Sequence, residues 1–397
     1  MITEEQRTSP AEIHELIRAR LNPARPELRR LRSRRQLHAS PLYQSLDPLV
    51  RQVLETPQVG GSSSAAAPPR PYYRVVAWNV ERGKQLAGQI DALRSDGHLR
   101  HADVLLLSET DVGMARSGNH DVASEIARAL GMHYAFIPCY WSLVKGSGLE
   151  RHVGGENELG LHGNAILSRY PMSGFRPVHL ENGIDIFAAR EQRLGCQTAL
   201  LADIAFPQRT VTVVCIHLDA HSTQRHRRDQ MHAVLDAITP GADPVLLGGD
   251  WNTTTYNSSN AFMAICGFWL RVFMGVGRVI RRHYLHPYNL FERELFRLLE
   301  ERGFRYQDCN VPGEYTICYD IRDRQTYTAL REWVQQWCFP FIHWSLRDFD
   351  GKCPLKIDWF AARGLQTRNP RVIHGVREGR EVPLSDHDAI AVDIVVD

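Results

Sequence analysis

The sequence predicts a mixed α/β domain from about residue 71 onward, with sheets covered by helices on their outer faces. Three observations predict it. Apolar runs of strand length alternate with helical apolar stripes, nearly every such run ends on a polar or charged residue, and a stretch from Gly60 to Pro69, rich in Gly, Ser, Ala and Pro, divides this pattern from a basic N-terminal segment.

The elements follow in chain order. Ser9-Pro10-Ala11-Glu12 opens a helix whose apolar stripe is Ile13, Leu16, Ile17 and Leu21. Arg18, Arg20, Arg25, Arg29, Arg30, Arg32, Arg34 and Arg35 make residues 1–55 a basic, solvated helical extension. A targeting peptide is argued against by Glu4, Glu5, Glu12 and Glu15; a nucleic-acid or acidic-lipid contact is the second reading of the segment. Residues 56–70 read as a flexible linker. Residues 71–397 then carry strand patterns at Tyr73–Trp78, Val104–Ser108, Ala165–Ser168, Gln197–Ile204, Thr210–His217, Val245–Gly249, Ile357–Ala361 and Ala389–Val396. Helical patterns fall at Lys84–Arg94, Asp121–Leu130, Thr223–Ile238 and Leu290–Arg302, the last closed by Gly303.

Composition narrows the class. The 397 residues allow one large domain or two, and Lys+Arg 47 against Asp+Glu 45 leaves a formal charge of only +2, so any basic surface is local. The eight cysteines are scattered with no C-x-x-C, and Cys196 and Cys215 sit inside apolar runs, which favours free thiols in a reducing compartment. With no apolar leader core and no apolar run of about 18 residues, the expectation is a soluble, cytoplasmic chain without a transmembrane anchor.

The chemistry is concentrated at strand ends. Val245-Leu246-Leu247-Gly248-Gly249 delivers Asp250 and Asn252, which in an extended chain would project side by side, a hard-oxygen pair suited to a divalent cation or a phosphate. An Asx turn is the plain alternative. Asn79, Glu109, His217, and the run Ser385-Asp386-His387-Asp388 stand at other strand ends; singly they are ordinary caps and surface groups, but they form a set.

That set resembles a known family. W-N-V (78–80), S-E-T (108–110), H-G-N-A-I-L-S-R (162–169), H-L-D-A-H (217–221), G-D-W-N (249–252), I-D-W (357–359) and S-D-H-D (385–388) stand in the order found in the endonuclease/exonuclease/phosphatase superfamily, that of deoxyribonuclease I. The resemblance implies a four-layer α/β sandwich with two central sheets and a phosphoester hydrolase dependent on Mg²⁺, or on Mn²⁺ in its place. It implies Glu109 as metal ligand, with Asn79 beside it as a neutral ligand or phosphate contact and Asp386 as a further carboxylate. It matches Asp250 and Asn252 to residues that orient the attacking water and the phosphate, and His217 and His387 to the proton-handling pair, with Asp358 orienting one of them. Arg193 matches a basic position near the phosphate, and Asn164 the floor of the site, while His162 stays open between a site and a structural role. A histidine at position 217 is unlike the abasic-site endonucleases, whereas the signatures of inositol phosphatases are missing.

The resemblance leaves the substrate open. A nucleic-acid or nucleotide ester comes first, and a sphingomyelinase-like or inositol-phosphatase-like hydrolase is the alternative. A catalytically silent scaffold is disfavoured, because Glu109, Asp250, Asn252, Asp386 and His387 are all present. The insert at 253–356 exceeds the family minimum. Within it, Phe262, Trp269, Phe273, Val276 and Ile280 fall on one helical face with Arg271, Arg278 and Arg282 opposite, so residues 261–282 read as a helix packed on the domain or as a peripheral membrane contact. Trp333, Trp337, Phe339, Phe341 and Trp344 would wall a pocket, stack bases or fill core.

Overall fold

The computed structural model describes residues 9–61, 69–254, 257, 261–322 and 336–397. Strands are β1 (Gln58–Gly60), β2 (Tyr73–Arg82), β3 (Val104–Val112), β4 (His133–Ser142), β5 (Leu161–Ser168), β6 (Met172–Leu180), β7 (Arg193–Gly195), β8 (Gln197–Ala205), β9 (Thr210–His217), β10 (Val245–Asp250), β11 (Ile317–Asp320), β12 (Lys352–Leu355), β13 (Asp358–Arg363), β14 (Gln366–Ile373) and β15 (Ala389–Val395). One sheet runs β1-β4-β5-β3-β2-β15-β14, with β7 on β4; the other runs β13-β10-β9-β8-β6, and β11 pairs with β12 alone.

Strand alternation builds the layers. Val75, Ala77 and Leu106 from the first sheet meet Val213, Cys215 and Phe360 from the second in the central core. Their neighbours Val76, Trp78 and Leu107 turn outward, onto Leu93 of the helix Leu86–Ser95 and Ile126 of the helix Val122–Leu130. Val214, Ile216 and Leu247 do the same on the other side, against Met231 and Val234 of Gln224–Asp236 and Leu295 and Leu299 of Arg293–Glu301. The four-layer α/β sandwich is therefore present. Caps match the sequence signals: the Asp121 and Thr223 side chains accept the hydrogen bonds that start their helices, and Gly303 takes a left-handed φ of 78°.

The N-terminal segment corrects one expectation. Ser9 and Glu12 form the capping box of the helix Pro10–Leu16, as the sequence signals, but Ile13, Ile17, Leu21, Leu28, Leu46 and Val53 lie in the same core as the outer layer of the first sheet. Arg25 is buried, donating to the carbonyls of Asn157 (2.7 Å) and Leu159 (3.0 Å) and lying over the Trp141 ring, while Arg18, Arg20, Arg29, Arg30, Arg32, Arg34 and Arg35 stay exposed. The apolar stripe is what the sequence reading undervalued: it needs a partner surface, and β4 with its neighbours supplies one. The middle of the expected linker, residues 62–68, lies outside the described residues; before it, Gln58–Gly60 pairs with β4.

The insert differs too. Its helix Ala261–Met274 ends at Gly275, whose φ is 85°, so 261–282 is not one helix. Arg271 and Ile280 are buried, and the stripe that faces outward is Phe262, Leu270 and Phe273. Trp333 lies outside the described residues, and Phe339 is core. Thr316 fastens the insert to the sheets: its carbonyl accepts from Asp388 N (2.8 Å), and its hydroxyl oxygen accepts from the amides of Ile357 and Asp358 (3.1 Å each).

Candidate active site

Register assembles the centre of the site. β9 and β10 run parallel with His217 opposite Asp250, and β13 runs antiparallel to β10 with Asp358 opposite Asp250, so these three side chains share one row across the second sheet. Gly249 precedes Asp250 with φ 133°, and a Cβ there would lie 2.1 Å from the carbonyl oxygen of Ile216, so the close approach of β9 and β10 requires glycine. From the first sheet come Asn79 on β2 and Glu109 on β3, and His387 enters just before β15, its carbonyl accepting from Trp78 Nε1 (3.2 Å).

The contacts converge on Asp250. Asn79 Nδ2 donates to Asp250 Oδ2 (3.1 Å) and to Glu109 Oε1 (3.2 Å), bridging the two sheets. The same Asp250 oxygen stands 3.6 Å from His217 Nε2 and 3.8 Å from His387 Nε2. His387 Nδ1 donates to Asp358 Oδ2 (2.9 Å), so of the two histidines it is His387 that Asp358 contacts. Ser385 holds the segment in place, donating to the Asn79 carbonyl (2.6 Å) and accepting from His387 N (3.1 Å).

Charge follows geometry. Burial, and next the charge of Asp358, push the Asp250 carboxyl up to about 6. Burial opposes the His387 cation, but Asp358 and Asp250 outweigh it and hold the imidazolium well above its ordinary range. Glu109 goes the other way: burial would raise its pKa, yet Arg82, His217 and His162 hold it well below the usual carboxylate range. Ile317, on β11 of the insert, forms a β-bridge with His387, so the insert reaches the same cleft.

Four other expected residues fall differently. Asn252 does not project beside Asp250: its backbone is left-handed (φ 49°), its amide N donates to Asp250 Oδ1 (2.9 Å), and its Nδ2 donates to the Leu218 carbonyl (2.9 Å), an Asx turn at the strand end. Asn164 is wholly buried and ties β5 to β8, donating to the Thr198 carbonyl (2.9 Å). Arg193 lies 4.2 Å over the Tyr140 ring and 3.8 Å from Glu191. Asp386 stands exposed at the rim, where burial and its negative charge together raise the pKa of Glu81.

Sequence reasoning missed the support behind Glu109. Arg116, fully buried, makes a bidentate pair with Asp111 (2.8 and 3.0 Å) and donates to Glu191 (2.6 Å), and His162 Nδ1 donates to Asp111 (2.7 Å). Arg82 links this network to Glu109 at 3.8 Å. The signal was present as charged residues directly after the motifs, Glu81-Arg82 after W-N-V and Asp111 after S-E-T. A cleft of about 550 Å³ between Arg34 and the loop around Asn182 is lined by none of the expected site residues.

Two groups of side chains suit a cation. Asp250, Asp358 and His387 each offer an atom within 4.8 Å of the others. His387 Nδ1 is taken up by Asp358, which leaves Nε2 as the atom it could offer a cation. The second is Glu109, half-buried with the Asn79 amide against it, and Asp386 at the rim, hard carboxylate oxygens of the kind that Mg²⁺ or Mn²⁺ takes.

Comparison with known proteins gives the family. A sequence model described as the Endonuclease/Exonuclease/phosphatase family matches residues 76–387. The uncharacterized protein YbhP of Escherichia coli K12 is 28% identical over 136 residues, a match spanning 33% of this chain and 46% of that protein. An endonuclease/exonuclease/phosphatase from Beutenbergia cavernae is similar in structure at 17% identity, TM-score 0.46, covering 82% of this chain and 72% of that one. The 3'-5' exonuclease NExo of Neisseria meningitidis has 14% identity, TM-score 0.44, over 81% of this chain and 100% of that one. With the family match extending from β2 to His387, the chain belongs to the Endonuclease/Exonuclease/phosphatase family, whose members are hydrolases of phosphoester bonds.

Proposed function

We propose that this chain is a divalent-metal-dependent phosphoesterase, with a nucleic-acid or nucleotide phosphodiester as its first substrate class. The observation that carries the reading is the meeting of Asn79, His217 and His387 on one oxygen of Asp250, backed by Asp358. Glu109, Asn79 and Asp386 would hold Mg²⁺ or Mn²⁺; when bound, the cation neutralises the non-bridging oxygens of the phosphate. Asp250, a carboxylate above about pH 6, orients the attacking water and draws its proton. His387, kept protonated by Asp358, hydrogen-bonds the phosphate oxygen that gains charge, and His217 supplies a second contact across the row. Asn252 fixes Asp250 through its amide.

A phospholipid or sugar-phosphate ester is the second reading, favoured by the exposed aromatic face of the insert. Hydrolysis of duplex and single-stranded DNA, RNA, sphingomyelin, inositol phosphates and a chromogenic bis-ester, with Mg²⁺ or with chelator, separates the two. Asp250→Asn and His387→Ala should each lower turnover about 10²–10⁴-fold with an unchanged circular dichroism spectrum. Full activity in either variant overturns the assignment, and no metal-dependent cleavage of any ester returns the weight to a silent scaffold.

A further inference from the structure

We propose that the outer face of the insert is a docking surface for a bilayer containing anionic phospholipid. This goes beyond the hydrolytic reading and holds whichever ester is cleaved.

The helix Ala261–Met274 is inverted. Its residues Phe262, Leu270 and Phe273 are 72%, 52% and 84% exposed, while its charged residue, Arg271, is turned inward against the Phe291 ring and donates to the Gly267 carbonyl (2.7 Å). A helix in contact with water presents the opposite arrangement. The apolar stripe continues onto the helix Phe339–Ser345: Trp269 meets Phe341 at 5.3 Å between ring centroids, and Trp344 beyond it is again exposed. Exposed aromatics joined across two helices form a contiguous patch, the mark of an interaction surface.

Charge selects the occupant. From Ala261 to Tyr284 the sequence holds four arginines and no carboxylate. Arg278, Arg281 and Arg282 are exposed; Arg281 lies 5.8 Å over Phe349, and Arg347 lies 5.4 Å over Trp344, so cations sit directly beside the aromatic rings. The nearby carboxylates Asp348 and Asp350 are engaged by Arg347 (3.6 Å) and Arg322 (2.7 Å). A second copy of the chain would bring this cationic edge against itself across a two-fold axis, whereas anionic headgroups complement it. The 14-residue helix is about 21 Å long. It is too short to span the hydrocarbon core and long enough to lie in the interface with its aromatic face down.

The test is co-sedimentation of the full-length protein with phosphatidylcholine vesicles, with and without phosphatidylserine. The expected result is binding to the mixed vesicles that weakens as salt rises. Phe262→Ser and Phe273→Ser should each reduce it on the order of tenfold, and Arg278→Glu with Arg282→Glu should abolish the preference for phosphatidylserine. All of these variants should keep the wild-type circular dichroism spectrum and the wild-type rate on a soluble chromogenic ester. Failure of the folded protein to bind either vesicle overturns the proposal, as does a concentration-dependent dimer that Phe273→Ser dissociates without any vesicle binding. Because binding is read without turnover, loss of the hydrolytic reading would leave this result standing.

Discussion

Glu81, Arg82, Glu109 and Asn252 all adopt positive φ, at 45°, 68°, 54° and 49°. Non-glycine residues avoid this region at a cost of about 1–3 kcal/mol each, and here they cluster around Asp250 and Asn79. Neither the strain nor the coupling of the titrating groups was legible in the sequence: residue types and order gave Asp250, Asp358 and His387, but not that one carboxylate raises the pKa of both partners. That coupling makes a prediction. Activity that needs the Asp250 carboxylate should rise through about pH 6, and activity that needs the His387 imidazolium should fall as the pH passes its elevated pKa. Asp358→Asn removes a negative charge that favours the protonated form of both groups. Both limbs of the kcat/KM profile should therefore move to lower pH; limbs that stay in place would show that Asp358 does not govern the pair.

At the scale of elements, the three long strands that went unread, β4, β6 and β14, share a chemistry. β6 contains Gly174 and Pro177, β14 contains Asn369 and Pro370, and both are edge strands with register shifts; β4 shifts register next to Pro138. Proline and glycine at these places blunt edges and admit bulges, and they also erase the period-two pattern by which strands are recognised. Central strands such as β3 and β10 carry uninterrupted apolar runs and were legible for that reason. Thr316 was invisible for a different reason, since its role arises only when the insert folds back onto β13. Thr316→Val keeps the shape and leaves two buried amides without an acceptor. The cost should be about 1–3 kcal/mol in urea unfolding, together with reduced turnover through displacement of Asp358; a variant with native stability and native kcat would contradict this role.

Over the whole molecule, a patterned segment was readable while its partner surface was not. The stripe Ile13, Ile17 and Leu21 was recognised, but its burial against the first sheet depends on residues more than a hundred positions away, as in the pairing of Arg25 with Leu159. Sharing of one core predicts shared cooperativity. Leu28→Ala, at a fully buried position, should cost about 2–5 kcal/mol and shift the single thermal transition that reports on both sheets. A separate early transition, with the main one unmoved, would make residues 10–60 an independent unit.

The place of β15 in the first sheet has a consequence for biosynthesis. It pairs with β2 on one side and β14 on the other, and Ser385 just ahead of it bonds the Asn79 carbonyl from 306 residues along the chain. At the ~5–20 residues/s typical of translation, about 15–60 s separate the emergence of Asn79 from that of His387. Throughout that interval the nascent chain holds the acidic half of the site without its imidazolium, and the sheet lacks an interior strand. The proposed site is thus completed only after nearly all of the described fold has been synthesised, so incomplete chains should lack whatever hydrolysis that site performs.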